Sequence, residues 1–127
     1  MEMRLEVVPV PVADVDRARD FYENKIGFHV DHDTQQGEGV RVVQLTPPGS
    51  ACSIVIGTGL DEISTMIPGS LKGLLLVVQT ITAARDMLIG RGVAVSEIVV
   101  YPRDIKFAYF KDPDGNSWTL QEIPPGL

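Results

Sequence analysis

The chain has 127 residues, of which 44% are hydrophobic and 22% are charged, and this composition predicts one soluble globular domain spanning residues 1–127. The net charge of −6, with 11 basic residues among 17 acidic ones, argues against nucleic acid as a partner, because phosphate binding needs clustered Lys and Arg. Cys52 is the one cysteine, which excludes an intramolecular disulfide, and no apolar run is long enough to span a membrane, so we expect a cytoplasmic protein.

The first half of the chain predicts a strand, a helix and three further strands. Residues 5–12 are rich in Val and form the first strand, and Asp14 is the expected N-cap of a helix that closes at Gly27. Alternation of apolar and polar residues then predicts the three strands, the last two joined by a Pro-Pro-Gly-Ser turn; they cover residues 28–33, 40–46 and 51–57.

The second half repeats this order. Residues 58–72 show little periodicity and form the predicted linker, and a strand and a helix follow. The Ala18-Arg19-Asp20 triplet of the first helix recurs as Ala84-Arg85-Asp86 in the second, which indicates a duplication. The remaining predicted strands cover residues 95–100, 106–111 and 117–122, with an Asp-Pro-Asp-Gly turn before the last. The pattern predicts an α+β fold of two βαβββ modules, residues 3–57 and 73–123.

Two passages resemble the vicinal oxygen chelate superfamily, which includes glyoxalases, bleomycin resistance proteins and extradiol dioxygenases. They are VADVDRARDFYENKIGF at residues 12–28 and FKDPDGNSWTLQE at residues 110–122. The resemblance implies curved mixed sheets around a concave cavity. It does not imply one activity, because the superfamily also contains isomerases, epimerases, thiol transferases and drug-binding proteins.

The resemblance also implies where a metal ion would bind. Metal-dependent members place ligands, usually His and Glu, near the middle of the first and last strand of each module. The matching positions here are Val7, Gly73, Thr119 and Val55, or Ser53 if the register shifts by two. Because a catalytic metal needs about three strong protein ligands, we expect no metal and no other cofactor.

The alternation within each strand predicts which side chains face the cavity. Most of them are apolar, and a few neutral hydrogen-bonding groups interrupt them, which is typical of a small-molecule site. Trp118 falls on the opposite face and is expected in the core. The predicted ligand-binding residues are Val7, Gln44, Ser53, Val55, Phe110, Thr119 and Gln121.

The two histidines, His29 and His32, lie in one predicted strand with two aspartates. Strict alternation would place His29, Asp31 and Asp33 on one face and His32 on the other, so these residues are not expected to form a metal cluster. His32 is the candidate for a single catalytic histidine.

Three functions follow from these observations. The favoured one is a metal-free protein that binds a hydrophobic or aromatic small molecule, like the antibiotic-binding members that the chain resembles in lacking metal ligands. Their pockets often lie between subunits, so we expect a homodimer.

The alternative is a metal-independent isomerase, cyclase or lyase that uses His32, Asp31 or Asp33. The third is a metal-dependent lyase or dioxygenase whose ligands have moved to His29 or His32. The aromatic fraction of 6% counts against a pocket with several stacking walls.

Overall fold

A computed structural model describes residues 1–127 and contains two four-stranded sheets. In each sheet the first strand pairs in parallel with the last, and the other pairs are antiparallel. This repeat confirms the predicted α+β fold of two βαβββ modules. Sheet one has the order β1-β4-β3-β2, with β1 Val7–Pro9, β2 His29–Gln35, β3 Arg41–Thr46 and β4 Ser53–Thr58. Sheet two has the order β5-β8-β7-β6, with β5 Leu74–Val77, β6 Val99–Tyr101, β7 Ile105–Lys111 and β8 Ser117–Glu122.

Each module contains one helix. Helix α1 covers Val15–Asp20 and continues as a wider π-helical segment, Phe21–Ile26. Asp14 caps α1 as predicted, since its carboxylate accepts a hydrogen bond from the Arg17 amide at 3.1 Å. Helix α2 covers Ile81–Gly90, and neither helix has the length and hydrophobicity that a membrane-spanning segment requires.

Two strands are shorter than the sequence predicts. The first predicted strand, residues 5–12, is reduced to β1, where Pro9 and Pro11 have no amide hydrogen to donate to a ladder. The strand predicted at residues 95–100 is reduced to β6. Before β6, the Ser96 hydroxyl accepts the hydrogen bond of the Tyr109 amide at 2.9 Å, so a side chain takes the place of a ladder carbonyl.

A single hydrophobic core lies between the helices and one face of each sheet, here called the inner face. Val43 and Leu45 on the inner face of sheet one are fully buried, and Trp118 and Leu120 on that of sheet two are 3% exposed. The opposite face of each sheet, here called the open face, contributes no residue to this cluster. Trp118 therefore lies in the core, as predicted.

A buried hydrogen-bond network joins the two modules. The Tyr22 hydroxyl, on the π-helical segment, donates to Asp112 at 2.7 Å and accepts from the Trp118 indole at 2.9 Å. Asp112 also accepts from the side-chain amide of Asn116 at 2.8 Å, and that amide reaches the Pro11 carbonyl at 2.8 Å. Burial, together with the Asp112 carboxylate, raises the pKa of Tyr22 far above its ordinary value, so its proton stays in place as the donor.

Replacing Tyr22 by Phe tests this network. The change keeps the ring but leaves the Trp118 N–H without its buried acceptor, so we expect a loss of about 1–3 kcal/mol in the free energy of unfolding, measured by urea denaturation. Tyr109→Phe, at an exposed hydroxyl, is the control and should change stability by less than about 0.5 kcal/mol. Equal effects of the two substitutions would contradict a role for the buried hydroxyl.

Candidate functional site

A β-bulge in β2 decides which polar side chains reach the open face of sheet one. Val30 pairs with Leu45 and His32 pairs with Gln44, so Asp31 is an extra residue without a partner in the ladder. The side chains of Asp31 and His32 therefore lie on the same, open face, and Asp33 moves to the inner face opposite Val43. The prediction that Asp31 and Asp33 share one face with His32 opposite is wrong, because the extra residue changes the phase of the strand.

The Asp31 carboxylate is held by neutral donors on β3. Its Oδ2 accepts the Thr46 hydroxyl and, at 3.3 Å, the side-chain amide of Gln44. Thr46 has one hydroxyl proton, which goes to the carboxylate, so the hydrogen bond of 2.6 Å between Ser53 and Thr46 must have Ser53 as its donor. Gln44 also donates to Ser53 at 3.4 Å, which completes a connected polar floor of Asp31, Gln44, Thr46 and Ser53.

Four of the predicted ligand-binding residues lie together on this open face. Val7 pairs with Ser53, and Gln44 pairs with Val55, so all four side chains point to the same side of sheet one. Val55 is 9% exposed but lies outside the core cluster, as expected for the deep part of a separate surface. His32, the candidate catalytic residue, is exposed beside Gln44 and makes no hydrogen bond with the polar floor.

The open face of sheet two carries several large apolar side chains beside the polar Thr119 and Gln121. Thr119 pairs with Tyr109, and Gln121 pairs with Phe107. The predicted ligand-binding residues Thr119 and Gln121 therefore share one face with two aromatic residues that were not predicted there. Leu75 and Val77 of β5 extend it, with 50% and 65% of their surface exposed. A group of exposed large apolar side chains is typical of an interaction surface for a ligand or another protein.

Aromatic side chains meet on this face at the side of β6. The rings of Tyr101 and Phe107 meet edge to face with centroids 5.2 Å apart. The interaction with the neighbouring Tyr101 side chain raises the pKa of Tyr109. These aromatic residues were not among the predicted ligand-binding set, because the predicted register placed Phe107 and Tyr109 on the inner face.

Phe110 corrects the predicted register. The sequence predicts Phe110 on the same face as Thr119, but the structure pairs it with Trp118 on the inner face, 3% exposed, with the two rings stacked 6.2 Å apart. The turn includes Asn116 as a fifth residue, since the Asp112 amide donates to the Asn116 carbonyl at 3.0 Å. One extra residue moves every side chain of β7 to the other face relative to β8. Phe110 also lines a cavity of about 380 Å³ at the turn end of β7 and β8, together with Tyr109, Trp118 and Thr119.

The positions where the resemblance implies metal ligands hold no strong donor. Val7 pairs with Ser53 across β1 and β4, and Leu75 pairs with Thr119 across β5 and β8. Gly73, the second-module position that the resemblance implies, precedes β5 and has no side chain, and Leu75, which pairs with Thr119, is aliphatic. Aliphatic and hydroxyl side chains do not fit a divalent metal ion, and the chain has no group of three or more His, Cys, Asp or Glu side chains that could hold one.

The family model for the glyoxalase/bleomycin resistance protein/dioxygenase superfamily matches residues 4–120. The chain belongs to this superfamily. None of the curated protein sequences matched it significantly.

Solved structures of the superfamily are closely similar to this chain. TnmS3, an antibiotic binding protein from Streptomyces sp. CB03234, is 36% identical with a TM-score of 0.85, and the match covers 97% of this chain and 98% of that one. A glyoxalase/bleomycin resistance protein from the same organism is 38% identical over 92% of this chain and 98% of its own, with a TM-score of 0.78. A superfamily member from Sphaerobacter thermophilus DSM 20745 is 30% identical over 95% and 98%, with a TM-score of 0.83.

In this superfamily member, Asp33 fixes β2 on the helix side of the bulge. Its carboxylate accepts two hydrogen bonds from the Arg41 guanidinium, at 3.0 and 2.8 Å, and one from Arg19 of α1 at 2.5 Å. Arg41 also donates to Asp16 at 2.7 Å. The Arg41 hydrogen bonds, against the opposing effect of burial, lower the pKa of Asp33 to about 2.

Replacing Asp33 by Asn should weaken the fold in a pH-dependent way. Because folding lowers the pKa of Asp33, its stabilising effect is complete above the unfolded pKa near 4 and is lost as the pH falls towards 2. After allowance for screening of this partly exposed network, we expect the Asn variant to lose about 1–2 kcal/mol at pH 7, and the difference to close near pH 2.

Urea denaturation of both proteins at pH 7, 4 and 2.5 measures that difference. Asp86→Asn on α2 is the control, because Asp86 is exposed and makes no ion pair. If the difference in unfolding free energy between the wild type and the Asp33 variant did not narrow at low pH, the charge of Asp33 would not be what stabilises the fold.

Proposed function

We propose that this protein binds a hydrophobic or aromatic small molecule, without a metal ion, in a cavity between the open faces of two copies of the chain. The observation that carries this proposal is the contrast between the two faces. Sheet one offers a half-buried polar floor, and sheet two offers an exposed apolar wall. Apolar walls with a few placed hydrogen-bonding groups are what small-molecule sites combine.

The similar structures support a binding role. TnmS3, at 36% identity over nearly the whole chain, is an antibiotic binding protein. The polar groups of the floor also favour binding over turnover, because Ser53 is hydrogen-bonded to Thr46 and Gln44 and not to a histidine. A nucleophilic serine needs a base within hydrogen-bond reach.

A second copy is the partner that would complete the cavity. Within one chain the inner face of each sheet packs on the core, so the polar floor and the apolar wall lie on the outer sides of two different sheets. In a two-fold symmetric dimer, sheet one of each copy covers sheet two of the other, and both contacts form together. The edges of β1 and β5 are unpaired in the chain, which leaves both edges free to approach the partner.

The proposed dimer determines the molecular mass that is expected in solution. Light scattering coupled to gel filtration should give twice the chain mass of 13.8 kDa. Val77→Glu places a charge on the exposed apolar wall and should shift the protein to a monomer, whereas Ile89→Glu, exposed on α2, should leave the dimer intact. A monomeric wild-type protein would refute the two-copy cavity.

Binding can be measured with a neutral fluorescent probe, N-phenyl-1-naphthylamine. We expect saturable binding to the wild type, and a loss of about tenfold in affinity in Tyr109→Ala, because a large aromatic contact is removed from the wall. Ile89→Ala is the control and should bind as the wild type does. Chromatography of the released probe should return it unchanged. No saturable binding, or equal affinities in both variants, would contradict the proposed cavity.

A further inference from the structure

We propose that the ligand of this cavity carries a cationic nitrogen, such as a primary ammonium group, and that Asp31 binds it. This inference rests on the proposed function and deepens it, since it names the chemical class of the ligand. It starts from the position of Asp31, which the bulge in β2 turns onto the open face of sheet one.

One oxygen of Asp31 is engaged and the other is free. Oδ2 accepts the hydrogen bonds of Thr46 and Gln44, while Oδ1 accepts none from the chain. The one ionisable group near Oδ1 is His29, whose Nε2 lies 3.9 Å away on a side chain that is 76% exposed. The Asp31 side chain is only 26% exposed. The neutral donors thus hold the carboxylate in place and leave Oδ1 without a hydrogen bond from the chain.

No Lys or Arg of sheet one can neutralise this carboxylate. Arg41, the one Lys or Arg in β1 to β4, lies on the inner face and is paired with Asp33 and Asp16. A carboxylate that is covered by a partner surface needs a compensating charge, because burying it unpaired is strongly unfavourable. A cationic group on the ligand supplies that charge, and an anionic ligand would be repelled.

The aromatic wall of sheet two suits the same ligand class. Tyr101, Phe107 and Tyr109 offer ring faces and edges, and a cation near an aromatic face is attracted by the ring quadrupole. Lys111, at the turn end of β7, is the one basic residue on the open face of sheet two. Lys111 of a second copy would therefore compete with the ligand for Asp31. The test must distinguish these two partners of the carboxylate.

Two probes with one carbon skeleton test the proposal: 1-naphthylmethylamine, which is a cation at neutral pH, and 1-naphthalenemethanol, which is neutral. Calorimetric titration should show at least about tenfold tighter binding of the amine to the wild type, because an ammonium group forms an ion pair with the carboxylate whereas the hydroxyl donates only a hydrogen bond from a neutral group. Asp31→Asn should remove this preference, with about tenfold weaker binding of the amine and less than twofold change for the alcohol. Asp86→Asn changes the net charge equally on α2 and should leave both affinities unchanged.

The remaining outcomes each decide against one claim. If both probes bind the wild type equally and Asp31→Asn changes neither, the cationic ligand class is wrong and the proposed apolar cavity stands. If neither probe binds, while the protein is folded by circular dichroism, the proposed function fails as well. If Asp31→Asn dissociates the dimer and leaves the preference for the amine unchanged, Asp31 pairs with Lys111 of the other copy, and the inference is overturned.

Discussion

The hydrogen bond between the Tyr22 hydroxyl and Asp112 is the interaction on which the arrangement of both sheets depends. It ties the π-helical segment of the first module to the last turn of the second. The same carboxylate binds the amides of Asp114 and Asn116, which fixes a five-residue turn. That turn sets the register of β7 on β8, and the register in turn buries Phe110 and leaves Tyr109 on the open face.

A second local irregularity has the corresponding effect in sheet one. The bulge at Asp31 divides two aspartates that lie two residues apart, which a regular strand would place on one face. Asp33 turns inward to two arginines and stabilises the fold, and Asp31 turns outward to the polar floor. One extra residue thus separates a carboxylate that stabilises the fold from a carboxylate on the open face. Such bulges are frequent beside functional sites, where they redirect a side chain.

The sequence predicts the repeated order of strands and helices because that order rests on hydrophobic periodicity, on the Asp14 cap and on the recurring Ala-Arg-Asp triplet. It also predicts that Val7, Gln44, Ser53 and Val55 share one face, since no irregularity interrupts β3 and β4. It fails at Phe110 and at Asp31. In both places a single additional residue, in a turn or a bulge, reverses the face, and alternation of residue types carries no signal of it. The sequence could also have placed Thr46 on this face, because it lies two residues after Gln44 on the same strand.

The two modules share a topology but have diverged in what their open faces present. Sheet one carries hydroxyl, amide and carboxylate groups, and the equivalent strands of sheet two carry Leu75, Val77, Phe107 and Tyr109. Two identical polar faces would meet poorly, and two identical apolar faces would expose large apolar areas in the single chain. With a mainly polar face on one module and a mainly apolar face on the other, each copy of the proposed dimer would present a surface complementary to that of its partner. Divergence after duplication is therefore what would let a symmetric pair enclose two equal cavities, each with a polar floor and an apolar wall.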